Sequence, residues 1–351
     1  MNDKITVLID ELCKNHGLTT DEYAYLIEYR DEESKQLLAE RARQVREKIY
    51  GRDVFIRGLI EISNYCKNDC FYCGIRRSNK ECQRYRLGKE EILACCKEGY
   101  QLGFRTFVLQ GGEDAFYTDD ILCDIIRDIK NNFSDCAVTL SLGERGRMSF
   151  ECLYKAGAER YLLRHETADA KHYASLHPKE LTLQSRLQCL RDLKEIGYQT
   201  GCGFMVGSPG QTIESLAKDL KWIEEFKPAM CGIGPFIPHH ATQYAGEQPG
   251  SIELTCFLLS VIRLIHPGIL LPATTALATL DTNGTEKGIL AGANVVMPNL
   301  SPADAKEKYE LYNNKAYNGM EAARNVELLK KRMETIGYQV VTDRGDVREA
   351  L

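Results

Sequence analysis

No stretch of this sequence approaches 18 consecutive apolar residues, so nothing in it reads as a membrane-spanning helix. The opening residues, MNDKITVLIDELCKN, are charged and helical in pattern rather than basic and then apolar, so no export leader is expected and the protein is placed in the cytoplasm. Basic excess is also missing: 45 Lys and Arg against 50 Asp and Glu leave a formal charge of −5. That balance argues against a nucleic-acid binder and for a small molecule or a protein as partner. Low-complexity tracts and long Pro/Gly linkers are absent, which leaves no signal for an independent second domain. At 351 residues the chain fits one large α/β domain with extensions. Cysteine is not scarce: fourteen residues with no export signal suit a reducing compartment in which thiols stay free. None lies beyond Cys256, however, and histidine is missing from the stretch where cysteines are densest.

That stretch is Glu61 to Arg86, EISNYCKNDCFYCGIRRSNKECQRYR, with Cys66, Cys70 and Cys73 at C-x3-C-x2-C between a β-branched run and a basic loop. Three thiolates on one loop can hold three irons of a cubane cluster and leave the fourth open to a chelating ligand. Core packing and zinc are the plain alternatives. A structural zinc site wants four closed ligands, and Cys82, the next candidate, lies nine residues on. Tyr72 completes C-x3-C-x2-aromatic-C, which resembles the signature of radical S-adenosylmethionine (SAM) enzymes. The resemblance implies one [4Fe-4S] cluster, oxygen-sensitive, whose open iron SAM chelates. It also implies reductive cleavage of SAM to methionine and a 5′-deoxyadenosyl radical.

Helical spacing runs through residues 1–50, with Thr20 as a candidate N-cap, a preface expected to cover one end of the domain. Eight apolar runs then read as strands, at 54–62, 106–112, 137–142, 160–166, 200–207, 230–237, 269–275 and 294–298. Amphipathic segments come after them, among them Glu90 to Leu102, Asp120 to Asn131, Leu183 to Ile196, Thr212 to Phe226 and Leu254 to Ile265. Strand-helix alternation repeated eight times predicts a (β/α)8 TIM barrel over 51–315. A C-terminal helical tail over 316–351, Glu321 to Ile336 included, is expected to pack outside it.

Chemistry in such a barrel sits at the carboxyl ends of the strands. The cluster loop follows the first strand. Gly111, Gly112 and Glu113 follow the second, where a radical SAM motif binds the amino group of SAM; a tight turn with a capping acid is the plain reading. Ser141 ends the third strand. Arg164, His165 and Glu166 end the fourth, and a charged triplet there is hard to explain as packing, because buried charge is costly unless paired. Alternation sets Arg164 and Glu166 on one face and leaves His165 as either a structural or a site residue. Arg57 within the first strand raises the same burial question. A lumen holding Arg57 and Arg164 suits a small carboxylate, which Arg grips bidentately. The Gly203–Thr212 segment, Met205 included, reads as a loop approaching SAM, with Thr212 capping the next helix, or else as a simple connection. Thr274 and Thr275 end the seventh strand and Met297 the eighth.

The motifs NYCKNDCFYCGIRRSN, VLQGGEDAFY, VTLSLGE, RYLLRHETA, GFMVGSPGQT, GIGPFIPH, PATTA and GANVVMPN, in this order over about residues 50–315, resemble the radical SAM maturases of iron-iron hydrogenase, the HydE family. The resemblance implies action on a small organometallic substrate, a cysteine-bound iron carbonyl/cyanide precursor, during assembly of the two-iron subcluster. It implies partner hydrogenase maturases and a one-electron donor such as ferredoxin or flavodoxin. Carried over by position, Cys66, Cys70 and Cys73 ligate the cluster, and Glu166, Arg186, Met297 and Tyr309 bind SAM beside Tyr72. Arg57, Thr139, Arg164, Thr274, Thr275 and Tyr312 line the deeper substrate cavity. Two departures stand out. Gly111 replaces the Ser that some relatives carry, and the C-terminal cysteines of an auxiliary cluster are missing. Two other readings stay open. One is another radical SAM activity on this scaffold, such as 3-methylornithine synthase or biotin-synthase-like sulfur insertion; the other is a non-enzymatic iron carrier. Of the remaining eleven cysteines, Cys95, Cys96, Cys123, Cys152, Cys189 and Cys256 fall in helical patterns and read as packing residues, and Cys202 and Cys231, in strands, are given no role.

Overall fold

The structure, a computed structural model, describes residues 3–315 and 322–348. Eleven strands occur among them: β1 (Asp53–Ile56), β2 (Gly58–Ser63), β3 (Thr106–Gly111), β4 (Ala137–Ser141), β5 (Ala158–Leu162), β6 (Gln199–Cys202), β7 (Met205–Val206), β8 (Met230–Cys231), β9 (Gly234–Pro235), β10 (Val295–Val296) and β11 (Gln339–Val341). The order β2-β3-β4-β5-β6-β8 is parallel throughout. Bridges from Met230 to Leu270 and from Pro272 to Val295 carry the sheet onward. The β10–β1 pair and a Leu59–Asn299 bridge close it. Eight staves therefore form a closed parallel barrel, as the alternation predicts.

Several expected strands are shorter or divided, each for a local reason. The first splits at Arg57. The fifth and sixth split where Gly203 meets Gly232: a Cβ on Gly203 would lie 2.0 Å from the Gly232 carbonyl oxygen, so only glycine allows the approach. The seventh makes bridges rather than a ladder. Pro272 has no N–H to donate, and the Leu271 N–H donates to the Asn294 side chain.

Helices match the predicted periodicity closely: Lys89–Gln101, Asp119–Asn132, Leu183–Ile196, Ile213–Phe226 and Ile252–Ile265. Thr212 caps its helix through the Ser215 N–H, as expected. At the N-terminus the cap is Thr19 rather than Thr20, in a reciprocal capping box with Glu22. The preface helices do not sit over a barrel end. Thr20–Glu28 packs on the 213–226 helix and Glu32–Tyr50 on the 252–265 helix, so they widen the flank.

The tail is not wholly helical. The predicted 321–336 helix is observed as Ala322–Thr335, Glu321 lying outside the described residues. β11 then pairs with β1, and residues 343–346 turn under the barrel's amino-terminal mouth. There the buried Arg160 guanidinium donates to Asp346 at 2.6 Å and the Thr106 hydroxyl donates to the Arg344 carbonyl at 2.8 Å. This plug closes the end opposite the predicted site.

Candidate active site

A cavity of about 340 Å³ occupies the carboxyl end of the barrel. The residues Cys66, Cys70, Tyr72, Cys73, Gly111, Gly112, Glu113, Ser141, Arg164, Glu166, Arg186, Met205, Thr274, Thr275, Met297, Tyr309 and Tyr312 all line it. Positions from seven strand ends and the 309–312 segment thus meet in one place.

The cluster loop is built rigidly. Arg84 reaches across it and donates to the carbonyls of Ile75 at 2.8 Å, Arg76 at 2.6 Å and Asn79 at 3.1 Å, with a further bond to the Asn64 carbonyl. Arg76 holds Asp69 bidentately at 2.8 and 3.0 Å. The Lys67 N–H donates to the Glu113 carbonyl at 2.9 Å, which ties the loop to the Gly111–Glu113 turn. Burial pushes all three thiols up, Cys70 to about 12. Thiolates there need a cationic partner, and a coordinated metal removes the thiol proton outright. Among the described residues no three His, Cys, Asp or Glu side chains close around a single metal ion. Three buried thiols on one loop, all lining the same cavity, fit the three-cysteine ligation of a four-iron cluster.

The fourth-strand triplet divides as alternation suggests. Arg164 and Glu166 face the cavity, 3.2 Å apart. His165 is structural: its Nε2 lies 3.2 Å from Asp219, its Nδ1 accepts from the Gly203 N–H at 3.4 Å, and its ring packs on Trp222. Burial lowers its pKa to about 3, so it stays neutral. Arg186 donates to Glu144 at 2.6 Å and to the Arg164 carbonyl at 2.5 Å, so one guanidinium braces two strand ends. Arg164 Nε and Thr274 Oγ1 are buried with no hydrogen-bond partner among the described residues, while Arg164 Nη2 and Glu166 Oε2 face only each other, at 3.2 Å. Buried polar atoms left so are costly, and several aimed into one cavity describe a ligand's complement.

Two expected cavity residues lie elsewhere. Arg57 does not line the chamber. It faces the plug, with Nη1 2.8 Å from Met230 Sδ and Nη2 donating to the Gly345 carbonyl at 3.4 Å. Leu59, two residues on along the same face, takes the position at the cavity floor. Thr139 is likewise one inward layer below Ser141, its hydroxyl buried without a partner. Conversely, Glu61, Gln110 and Lys315, none of them expected at the site from sequence, are all in the lining. Glu61 is fully buried, ion-paired to Lys315 and accepting from Asn299 at 2.8 Å. A signal for it exists, since Glu61 is an acid within the same apolar strand that draws attention to Arg57. Of the other cysteines, Cys202 and Cys231 stand in register on neighbouring strands and belong to the apolar core.

A closed parallel barrel with a three-cysteine loop after its first strand and a polar chamber above it defines a radical SAM enzyme. A model of the radical SAM superfamily matches residues 60–223. The [FeFe] hydrogenase maturase subunit HydE of Thermotoga maritima is 43% identical over 304 residues, covering 87% of this chain and 86% of that one. The 3-methylornithine synthase of Methanosarcina acetivorans is 30% identical over 332 residues, 94% of this chain and 92% of that one. Among solved structures, methylornithine synthase (PylB) superposes with a TM-score of 0.83 at 27% identity, over 95% of this chain and 97% of that one. The chain belongs to the HydE family of radical SAM enzymes, the hydrogenase maturases.

Proposed function

We propose that this enzyme acts on a cysteine-bound iron carbonyl/cyanide precursor while the two-iron subcluster of the hydrogenase active site is assembled. Cys66, Cys70 and Cys73 hold one [4Fe-4S] cluster. Bound there, the cluster supplies the electron that splits SAM into methionine and a 5′-deoxyadenosyl radical. Glu166 and Arg186, with Tyr72, Gly111, Gly112, Glu113, Ser141, Met205, Met297 and Tyr309, surround SAM. Arg164, Thr274, Thr275 and Tyr312 receive the substrate.

The observation that carries this reading is a pair of buried groups lining the cavity without a hydrogen-bond partner among the described residues, Arg164 Nε and Thr274 Oγ1. A planar guanidinium and a hydroxyl lining one cavity match the carboxylate of an amino acid derivative better than a fatty chain or a polymer. The lumen, shut below by the 343–346 plug, keeps water and protein side chains away from a reactive radical. Partner maturases supply the precursor and take the product, and a ferredoxin or flavodoxin supplies electrons.

The test is a single-turnover incubation of the reconstituted protein with SAM, a one-electron reductant and the iron-cysteine product of the partner maturase. Consumption of that product and support of apo-hydrogenase activation are expected. The likeness to 3-methylornithine synthase, at 30% identity over nearly the whole chain, favours a second reading, a mutase acting on lysine. Lysine conversion to 3-methylornithine without any effect on hydrogenase activation would overturn the maturase assignment.

A further inference from the structure

On the proposed radical SAM function, on which the docking surface described here rests, each cleavage of SAM needs one electron from a donor that never enters the lumen. The cluster loop reaches the surface at Cys66, which is partly exposed and comes directly after Tyr65, 37% exposed. Beside it the Arg86 guanidinium lies over the Tyr65 ring at 3.9 Å and over the Phe116 ring at 4.9 Å, and Phe116 is 48% exposed. Asp114 fixes this arginine through bonds of 2.7 and 2.9 Å and is itself bonded to Ser63. An arginine held between two exposed aromatic rings is the kind of group that dominates the centre of a protein interface. It is ordered before any partner arrives, which lowers the entropy cost of docking.

The charge around it is unlike that of the whole chain. Residues 65–86 carry Lys67, Arg76, Arg77, Lys80, Arg84 and Arg86 against Asp69 and Glu81, in a chain whose formal charge is −5. Three neighbouring acids are taken, Asp69 by Arg76, Glu113 by Lys67 and Asp114 by Arg86, and Glu81 lies 3.4 Å from His240. Arg77 and Lys80 are exposed and form no ion pair among the described residues.

We infer that Tyr65, Lys67, Arg77, Lys80, Arg86 and Phe116 form the docking surface for an acidic one-electron carrier protein. The carrier is oxidised by one electron, the cluster that Cys66, Cys70 and Cys73 would hold is reduced by it, and no bond or proton is exchanged. Opposite charge steers the encounter, and the aromatic pair fixes the short carrier-to-Cys66 distance.

The experiment uses cluster-loaded protein, a flavodoxin as the acidic carrier, and two variants outside the cavity lining, Arg77→Glu/Lys80→Glu and Phe116→Ser. Calorimetric titration at low and high salt reads binding directly, and SAM cleavage is measured with reduced flavodoxin and, separately, with dithionite. Charge reversal is expected to weaken flavodoxin binding about tenfold at low salt and to flatten its salt dependence. Phe116→Ser is expected to weaken it about fivefold at either salt. Flavodoxin-driven cleavage should fall in step, with dithionite-driven cleavage within about twofold of the parent. Unchanged affinity, equal loss with both reductants, or no binding by the parent protein overturns the inference. So does a variant that keeps flavodoxin binding but loses hydrogenase activation, which would give the surface to a partner maturase. The proposed function fails separately, through absent turnover of the iron-cysteine precursor under dithionite, an arm that does not use this surface.

Discussion

Gly112 is where the cluster loop and the second strand end come closest, and Gly112→Ala isolates that contact. A Cβ there would stand 2.2 Å from the Tyr65 carbonyl oxygen and 2.8 Å from the Cys66 Cβ. Ordinary C···O contacts begin near 3.3 Å, so the loop has to retreat by about 1 Å. Retreat is opposed on both sides, because Gly112 N–H donates to the Ser63 carbonyl at 3.1 Å and Lys67 N–H to the Glu113 carbonyl at 2.9 Å. Overpacking of this kind costs about 1–3 kcal/mol. At about 2 kcal/mol, with 1.4 kcal/mol per factor of ten, the reconstituted variant should bind SAM about 30-fold more weakly. It should also lose iron during desalting. Gly111→Ser is the comparison, since a Cβ at Gly111 comes no closer than 3.1 Å to Ser63 O. That variant should stay within about threefold of the parent, as one small shift can relieve it. The assays are iron per chain and equilibrium dialysis of SAM. Parent-like iron content and SAM affinity in Gly112→Ala would refute the argument that this approach positions the cluster loop.

Glu166→Gln and Arg186→Ala should each lower SAM affinity more than about tenfold by equilibrium binding, whereas Arg164→Ala should keep SAM cleavage within about threefold and lose precursor turnover; equal failure of all three at cleavage would defeat the division of the cavity. Anaerobic reconstitution should give about four irons per chain, lost in Cys70→Ala, and a count near eight would contradict a single cluster. Acid should destabilise the fold. Burial lowers His165 and His177 to about 3 and His239 and His266 to about 4. Unfolded histidines bind protons near 6.5, so the unfolded state takes them up first. The stability is therefore present above that pH and is lost as pH falls toward 4, at about 1.4 kcal/mol per excess proton per pH unit. Asp219 and Glu61, raised by burial, oppose this, so denaturant midpoints that stay flat or rise between pH 6.5 and 5 would show that the histidines do not dominate. Finally, His165→Phe should fold and yet bind SAM more weakly, because it removes the bond to Asp219 that fixes the turn carrying Glu166; unchanged SAM affinity would make His165 mere packing.

The barrel was legible because eight apolar runs alternate with amphipathic segments, and parallel strands buried on both faces leave that trace. What periodicity could not report is depth. Arg57 and Arg164 both read as charges inside apolar strands, yet one meets the plug and the other the cavity. The plug itself was illegible: Gln339–Val341 is a three-residue strand, too short for a pattern, and Gly345 is needed because a Cβ there would lie 2.7 Å from the Phe55 ring, a contact made across 290 residues. The three-cysteine loop at the cavity was legible from its spacing together with Tyr72 and the strand before it. Glu61 and Lys315 were not, since their pairing joins the first strand to a segment 254 residues later.

His165 and Glu166 show why structural and functional readings of one motif need not compete. Glu166 has φ 64°, a left-handed conformation that costs a residue with a side chain about 1–2 kcal/mol. The turn is over-determined: Glu166 N–H donates to the Gly203 carbonyl at 3.0 Å, and Asp219 accepts from both the Ala168 N–H and His165. Trp222 supports the imidazole from outside the barrel. Strain of this kind persists only where its surroundings enforce it, and here they are buried hydrogen bonds in a low-dielectric wall. The Glu166 carboxylate is therefore aimed into the cavity, its Oε2 facing only Arg164 at 3.2 Å, before any ligand arrives. Less ordering is then left to be done on binding, and that saving goes to holding the reacting groups in one orientation.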